Sequence, residues 1–514
     1  MGCCDSKGDY AEDTKLASTT QKSPNNKKAE RTRKPRRTNL RTPGSTRKTT
    51  FKAEPALEIN RGDYIQVNEG EIEEKYQIKK VIHNGKFGDV WLAILVNGGF
   101  KRVISEIDLA TLGKKRNEAV LKELEKLKEL DHPNIIKVYE FIKHFNAVYI
   151  VTEYLDGDSL EMKIQHGHFI EEDKARTCIK TILSTLNYCH NKGIVHGNLT
   201  PTNILFDGKN KNSVLKLNDF GFSWNKISKS SKLNSMHYAA PEILQGKANS
   251  PSSDIWSLGV ILYMMLTKAL PFTAENTEKL IDRIQKGFNL EEYLFFSNSK
   301  EVQDLLIKML TLDPQQRIST SDALNHPWIT LKDDQLPTIK LTKESMAWFS
   351  HFHSKNRIQK IMLSSCISQV SDLSDEMELR TLFEALDKDH SGTIQIKECI
   401  DGYKLFGFDD PNEIKEIFQK FNLNENEEMN FSIFLAGFTN WNSPEEIKKL
   451  EKMFQVYDLD NSGSLSFKEL VKAIPGVQEN EMREYFKLAD LNKNRKIEIQ
   501  EFVCSLTRAF NTKA

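Results

Sequence analysis

Two twelve-residue segments near the C-terminal end space oxygen-bearing side chains as a calcium loop does. In residues 387–398 and 458–469 these side chains stand at positions 1, 3, 5, 7 and 12, and a glycine stands at position 6. Such a set surrounds a calcium ion, because the glycine allows a sharp turn and the final glutamate supplies two oxygens. The predicted ligands are Asp387, Asp389, Ser391, Thr393, Glu398, Asp458, Asp460, Ser462, Ser464 and Glu469.

The same twelve-residue frame recurs at residues 422–433 and 490–501. A phenylalanine precedes each of the four loops by four residues, at Phe383, Phe418, Phe454 and Phe486. This repeat predicts an all-α domain of four EF-hands over residues 376–511. We expect the loops to pair first with second and third with fourth.

The two added loops differ in their ligands. The loop at 490–501 keeps its oxygen ligands, although Arg495 replaces the glycine that favours a left-handed turn. The loop at 422–433 has Asn422, Glu427 and Ile433 in place of its aspartate, glycine and glutamate, so we expect it not to bind calcium. Its Met429 still suits a pairing strand. The predicted ligands of the fourth loop are Asp490, Asn492, Asn494, Lys496 and Glu501.

An ordered series of short motifs fills the middle of the chain. A strand-like run from Tyr76 leads into a glycine-rich segment over residues 83–88. The motifs that follow are Glu123, His132-Pro133-Asn134, Asn203, Asp219-Phe220-Gly221, Ala240-Pro241-Glu242, Asp254-Ile255-Trp256 and Arg317. The series resembles the eukaryotic protein kinases. The resemblance implies a bilobal α+β fold over residues 76–329 that holds ATP and magnesium between its lobes.

The resemblance assigns residues to the cleft, and several depart from the family's pattern. The nucleotide-lining residues would be Gly85, Gly88, Val90, Val103, Ser105, Glu123, Glu153 and Leu205, with Asn198, Asn203 and Asp219 at the reaction centre. Ser105 stands where the family has its phosphate-binding lysine, and His83 replaces the first glycine. Val103 replaces an alanine and narrows the adenine slot. Lys86 could reach the phosphates in place of the missing lysine, although we prefer to interpret it as an exposed loop charge.

The catalytic loop has also changed. It reads His196-Gly197-Asn198-Leu199-Thr200-Pro201-Thr202-Asn203. Asn198 cannot accept a proton as an aspartate would, Thr200 supplies no positive charge, and Gly197 replaces the arginine that reads phosphorylation of the activation loop. Asn203 and Asp219, the metal ligands by resemblance, are retained. Binding of ATP with magnesium is therefore expected to be weak.

The retained motifs fit a kinase fold kept without catalysis. His196, Phe220, Leu127 and Val138 match the hydrophobic spine of a kinase core, and Glu242 and Arg317 match its buried ion pair. We therefore expect a pseudokinase that acts as a scaffold or allosteric partner. The alternative is an active calcium-dependent serine/threonine kinase with a rewired cleft. Simple calcium buffering would not need an intact spine.

The N-terminus combines two membrane signals. Met1-Gly2-Cys3-Cys4-Asp5-Ser6 fits the pattern for myristoylation of Gly2, with Cys3 and Cys4 available for palmitoylation. Residues 22–52 carry twelve lysines and arginines against one glutamate, in a segment too polar to form a core. Such a run suits nucleic acid, an anionic membrane or solvent, and the acylation signal favours the membrane. We predict a disordered arm over residues 1–60, the cytoplasmic face of a membrane with a cytosolic pool, and no nucleic-acid partner.

A junction over residues 340–373 separates the two domains. Its apolar residues, among them Trp348, Phe352 and Ile361, follow the spacing of an amphipathic helix. An acyl signal, basic arm, kinase domain, junction and four EF-hands in this order resemble the calcium-dependent protein kinases of plants and protists. In that family the junction occludes the kinase until calcium moves it. Here it could instead be a helix-in-groove target of the EF-hands or a helix that packs between domains.

The composition agrees with several soluble domains. The chain has 514 residues, with 72 lysines and arginines against 72 aspartates and glutamates, which predicts about three domains. Seven scattered cysteines form no zinc or disulfide pattern. The longest apolar run, Ile255 to Leu266, is too short to span a bilayer. We expect a monomer, whose protein partner or substrate the residues do not identify.

Overall fold

Six strands between residues 66 and 153 form one sheet. The computed structural model describes residues 59, 61–84, 88–111, 114–167, 171–209, 213–220, 236–288, 299–331, 343–353, 355–370, 377–395, 397–398, 401–402 and 428–508. The sheet's strands are β1 (Gln66–Glu69), β2 (Tyr76–Asn84), β3 (Asp89–Leu95), β4 (Lys101–Asp108), β5 (Val138–His144) and β6 (Ala147–Glu153). Their order is β1-β5-β6-β4-β3-β2, with β1 parallel to β5 and the other pairs antiparallel. Helix α1 (Lys114–Leu127) completes this N-lobe.

The C-lobe is mainly helical. Its elements are α2 (Leu160–Gln165), α3 (Glu172–Asn191), β7 (Ile204–Phe206), β8 (Leu215–Leu217), α4 (Pro241–Leu244), α5 (Pro251–Thr267), α6 (Thr277–Gln285), α7 (Lys300–Met309), α8 (Thr320–Leu324) and α9 (Pro327–Thr330). Helix α5 contains the longest apolar run and is buried along most of its length. Ser250 precedes it as the N-cap, and the Ser250 amide donates to the Ser253 hydroxyl at 3.1 Å. None of the described helices has the length and apolar content needed to cross a bilayer.

The junction forms two helices and not the single helix that its apolar spacing predicts. Helix α10 spans Lys343–His353 and helix α11 spans Arg357–Val370. The second helix has its own start, because the side chain of Asn356 accepts from the Gln359 amide and the Gln359 side chain accepts from the Asn356 amide. This reciprocal cap begins a new helix and so interrupts the first.

The C-terminal region has the expected helix–loop–helix repeat. Its elements are α12 (Met377–Leu386), β9 (Thr393–Gln395), β10 (Glu428–Asn430), α13 (Phe431–Phe438), α14 (Pro444–Tyr457), β11 (Ser464–Leu465), α15 (Phe467–Ala473), α16 (Glu479–Ala489), β12 (Ile497–Glu498) and α17 (Ile499–Thr507). Strand β9 of the first loop pairs with β10 of the second, and β11 of the third with β12 of the fourth. This confirms the expected pairing, and Met429 lies opposite Ile394 in the first ribbon.

The EF-hand region shares a hydrophobic core with the N-lobe and the junction. One cluster of buried side chains joins Tyr76 and Ile104 of the sheet, Ile361 of α11 and Phe434 of α13. A second cluster fills the C-lobe. The EF-hands therefore do not form a domain with a separate core, since their buried side chains pack continuously with those of the kinase sheet.

The segment before the sheet also belongs to this core. Ile59 is buried, so the predicted arm ends before it and not at residue 60, because its apolar side chain packs into the shared cluster. Arg61 donates to the carbonyl oxygens of Leu130 and Val138 at 2.7 and 3.1 Å. Strand β1, which follows, is a further sheet strand that the sequence analysis did not predict.

Candidate functional site

The two faces of strand β4 have different tasks. Ser105 pairs with Val90 of β3, and Val103 pairs with Leu92. Because side chains alternate along a strand, Val103 and Ser105 share one face, on which both are partly exposed. This places Val90, Val103 and Ser105 together on the sheet face that lines the predicted nucleotide cleft.

A buried arginine occupies the opposite face of the same strand. The guanidinium of Arg102 lies 3.8 Å from the centre of the Tyr139 ring. It donates to the carbonyl oxygen of Gln369, near the end of α11, at 2.8 Å. The strand therefore carries a cation one step from the nucleotide face, where it serves the junction and not a phosphate.

The glycine-rich segment retains a tight approach at Gly88. A side chain there would bring its Cβ within 2.6 Å of the Glu106 carbonyl oxygen. His83, in the place of the first glycine, is exposed and pairs with Val90. Gly85 and Lys86 lie outside the described residues.

Glu153, the last residue of β6, has its side chain in a buried ion pair. The Glu153 carboxylate accepts from the Lys216 ammonium at 2.7 Å and from the Lys137 amide at 2.6 Å. Burial would raise the pKa of Glu153, but the two lysines hold it below its usual range. Its side chain is thus part of a buried ion pair, which leaves its backbone for any nucleotide contact. Leu205 lies in β7 opposite Lys216.

The predicted reaction centre is held together by two asparagines. The Asn198 amide donates to the Asp219 carboxylate at 2.8 Å, and the Asn203 amide donates to the Asn198 carbonyl oxygen at 2.9 Å. Asp219 has a left-handed backbone, with φ of 54°, and keeps an exposed edge. The surrounding protein still desolvates its carboxylate and raises its pKa, and the Asn198 hydrogen bond opposes that rise. The group at the base position thus donates a hydrogen bond where a catalytic aspartate would accept a proton.

The neighbouring residues maintain the loop's shape. The hydroxyl groups of Thr200 and Thr202 lie 2.8 Å apart. The Asp254 carboxylate accepts from the amides of His196 and Gly197, and the His196 ring stacks on Phe220 at 4.6 Å. Burial lowers the pKa of His196 to about 4, so this ring is neutral at physiological pH and acts in packing.

The predicted buried ion pair of the C-lobe is present. Arg317 donates to both carboxylate oxygens of Glu242, at 2.7 and 3.1 Å. Bidentate pairs of this kind fix geometry as well as charge. The C-lobe therefore retains this ion pair, although its catalytic loop has changed.

The first and third EF-hand loops gather carboxylates in the way a cation requires. Ligand atoms of Asp387, Asp389 and Glu398 all lie within 4.8 Å of one another. Asp458, Asp460 and Glu469 form the same arrangement. Burial and the neighbouring carboxylates raise the pKa of Asp387 to about 8. A bound divalent cation would offset the repulsion between these carboxylates. The carboxylates of the first and third loops therefore fit calcium.

The fourth loop adopts the same fold despite its arginine. Arg495 has φ of 65°, close to the 73° and 74° of the glycines at the corresponding turns. Glu501 accepts from the amides of Leu491 and Asn492, as Glu398 does from Lys388 and Asp389. The remaining predicted ligands, Asn492, Asn494 and Lys496, lie between Asp490 and Glu501. The positive φ costs energy for a side-chain-bearing residue but leaves the ligand frame in place.

The second loop is described only in its latter part. Asn422 and Glu427 lie outside the described residues. Ile433, where a binding loop has its glutamate, packs against the shared core. Gly2, Cys3, Cys4 and the basic arm also lie outside the described residues, and the side chain of Glu123, on α1, is not described.

Three contacts that sequence analysis missed join the EF-hands to the kinase lobes. Asn187 donates to the carbonyl oxygen of His390 in the first loop at 3.0 Å. Asn97 donates to that of Asp458 in the third loop at 2.8 Å. Asp131 accepts from Ser432. Each joins residues more than 200 positions apart, so no local pattern could have indicated them.

Comparisons with known proteins agree with this architecture. The chain matches the protein kinase domain family over residues 76–329, the EF-hand domain pair over residues 447–507 and the EF hand over residues 379–398. Calcium-dependent protein kinase 4 of Plasmodium falciparum is 32% identical over 483 residues, which cover 88% of this chain and 90% of that protein. Calcium-dependent protein kinase 17 of Arabidopsis thaliana is 29% identical over 452 residues, which cover 85% of this chain and 84% of that protein. With a bilobal kinase fold and calcium-binding EF-hands, the chain belongs to the calcium-dependent protein kinase family.

Proposed function

We propose that this chain is a calcium-responsive pseudokinase, anchored to a membrane, that acts as a scaffold or allosteric partner. The observation that carries the proposal is the Asn198 amide directed at Asp219, since it puts a hydrogen-bond donor in the position of the catalytic base. Ser105 on the cleft face of β4 supports it, because a serine supplies no positive charge at the lysine position and the neighbouring Arg102 faces the junction.

The magnitudes support a loss of turnover. A positioned base contributes about 100- to 10,000-fold to a rate, and one preorganised electrostatic contact contributes about 100- to 1,000-fold. Ser105, Asn198 and Thr200 each replace such a group. Kinases turn over about 1 to 100 times per second. Even if the three losses are not fully additive, their combined effect should reduce such a rate to background.

A radiolabelled phosphate-transfer assay tests the proposal. The full chain is incubated with Mg-ATP and generic protein substrates, with calcium or with a calcium chelator, and its own phosphorylation is measured in parallel. We expect background transfer in all conditions. The matched control is Asp219→Ala, which removes the retained metal ligand. Calcium-stimulated transfer that Asp219→Ala abolishes would instead establish an active kinase with a rewired cleft.

Nucleotide binding is a separate question from turnover. Asp219 and Asn203 retain the oxygen ligands that a magnesium ion on ATP would use. Weak binding of Mg-ATP, detected as thermal stabilisation that Asp219→Ala removes, agrees with a pseudokinase whose nucleotide acts as a structural ligand.

A further inference from the structure

The helix that follows the degenerate second loop is capped by the kinase domain. The backbone amide of Ser432, in the first turn of α13, donates to the Asp131 carboxylate at 3.0 Å. The Ser432 hydroxyl donates to the other oxygen of that carboxylate at 2.8 Å. Both residues are 4% exposed. Asp131 precedes strand β5, so this contact joins the EF-hand region to the N-lobe.

The other three loops supply such a carboxylate themselves. Glu398, Glu469 and Glu501 each accept a hydrogen bond from the backbone amide three residues earlier, at the start of the helix that follows the loop; these amides belong to Gln395, Ser466 and Glu498. In the second loop Ile433 stands in place of the glutamate and packs against the core, and a carboxylate of the kinase domain, that of Asp131, bonds the Ser432 amide in the first turn of the helix. Acidic groups at a helix N-terminus are favoured by the unpaired amides and the helix dipole.

Further hydrogen bonds surround the contact between Asp131 and Ser432. The Asp131 amide donates to the Tyr188 hydroxyl at 2.8 Å, which fixes the carboxylate's backbone. The Asn430 side chain donates to the Ile59 carbonyl oxygen at 3.2 Å and accepts from the Ile433 amide at 3.0 Å. None of these groups is a predicted calcium ligand.

We propose that the second EF-hand has exchanged calcium binding for intramolecular docking. In this role, Asp131 holds helix α13 against the kinase domain whether or not the other loops contain calcium. The docking surface consists of Asp131, Tyr188, Asn430, Ser432 and Ile59. This proposal does not depend on whether the cleft catalyses phosphoryl transfer, so it applies equally to a pseudokinase and to an active kinase.

Hydrogen exchange resolved to single amides tests this docking in the full chain. The first amides of a helix have no partner within it, so protection of the Ser432 amide reports its bond to Asp131. We expect the wild-type amide to be protected to the same extent with calcium and with a chelator. Asp131→Asn should speed its exchange about tenfold in both conditions, because a neutral amide with one acceptor oxygen replaces a charged carboxylate that accepts from both the amide and the hydroxyl of Ser432. Asp282→Asn, which changes an exposed carboxylate of the same domain, should have no effect.

Several outcomes would overturn the proposal. Protection that occurs only with calcium would make docking a calcium-driven event. Unchanged exchange in Asp131→Asn would show that the carboxylate is not the partner. If that variant does not fold, the wild-type comparison between the two conditions still decides. Ser432→Ala, which keeps the amide and loses the hydroxyl bond, should then give a smaller increase, and no increase would count against the docking.

Discussion

At the residue scale, a single strand shows how a kinase site can change while its fold persists. The resemblance placed Ser105 in the nucleotide cleft, and strand pairing puts it on the same face as Val103. The role of Arg102 could not be predicted, because Gln369 lies 267 positions away along the chain. Local spacing assigns a side chain to a face of a strand, but it does not reveal what packs against that face.

Arg102 is expected to stabilise the fold and not to serve the cleft. Arg102→Met should lower the free energy of unfolding by about 2–4 kcal/mol, because a buried hydrogen bond and a cation–π contact are lost together. Lys101→Met, at the exposed neighbouring position, should change it by less than about 0.5 kcal/mol. Chemical denaturation of both variants measures the difference. Equal effects of the two substitutions would contradict a specific role for Arg102.

The Asn198 amide is expected to make the metal-free cleft more stable than an aspartate would. Asn198→Asp would set two carboxylates near the 2.8 Å now spanned by the hydrogen bond to Asp219. Their repulsion, of about 1 kcal/mol in a solvated cleft, should lower the melting temperature in a chelator by about 2–4 °C. Magnesium should restore much of this loss. Thermal scans of Asn198→Ala provide the control, since it removes the hydrogen bond without adding charge and should show no comparable recovery.

At the scale of elements, the twelve-residue repeat predicted how the EF-hand loops pair, and the apolar spacing predicted a helical junction. The loop pairing follows from the twelve-residue frame, and the interrupted junction could have been read from Asn356 and Gln359, which stand three residues apart as in a capping box. Strand β1 had no such signal, because its four residues gain their order from parallel pairing with β5. Short elements that depend on a distant partner are those that local patterns miss.

The EF-hand loops should bind three calcium ions. Glu398→Gln, Glu469→Gln and Glu501→Gln should each remove about one ion from the calorimetric stoichiometry, since each glutamate supplies the bidentate ligand of its loop. Glu501→Gln should remove the weakest site, because Arg495 pays for a left-handed backbone there. Glu428→Gln, an exposed change in the degenerate loop, should remove none. A wild-type stoichiometry of four would show that the second loop binds after all.

At the scale of the whole molecule, the shared core brings the calcium loops into contact with the kinase. The first loop packs against α3 so closely that a side chain at Gly392 would collide with the Tyr188 ring. The third loop is tied to the N-lobe through Asn97. Sequence analysis predicted the order of the modules but not these contacts. We therefore expect calcium binding at either loop to act on the kinase lobes through direct packing.

The final prediction concerns where the molecule resides. Gly2→Ala should move the expressed protein from the membrane to the soluble fraction, because it removes the site of the first acyl chain, on which stable anchoring with a second signal depends. Gly8→Ala, a matched change outside the motif, should leave the distribution unchanged. Replacing Arg31, Arg33, Lys34, Arg36 and Arg37 with glutamine should weaken association most at low salt, since screening already suppresses the contribution of these charges at high salt. Cell fractionation across a salt series measures all three. A Gly2→Ala protein that still sediments with membranes would refute acyl anchoring and leave the basic arm to be explained by another partner.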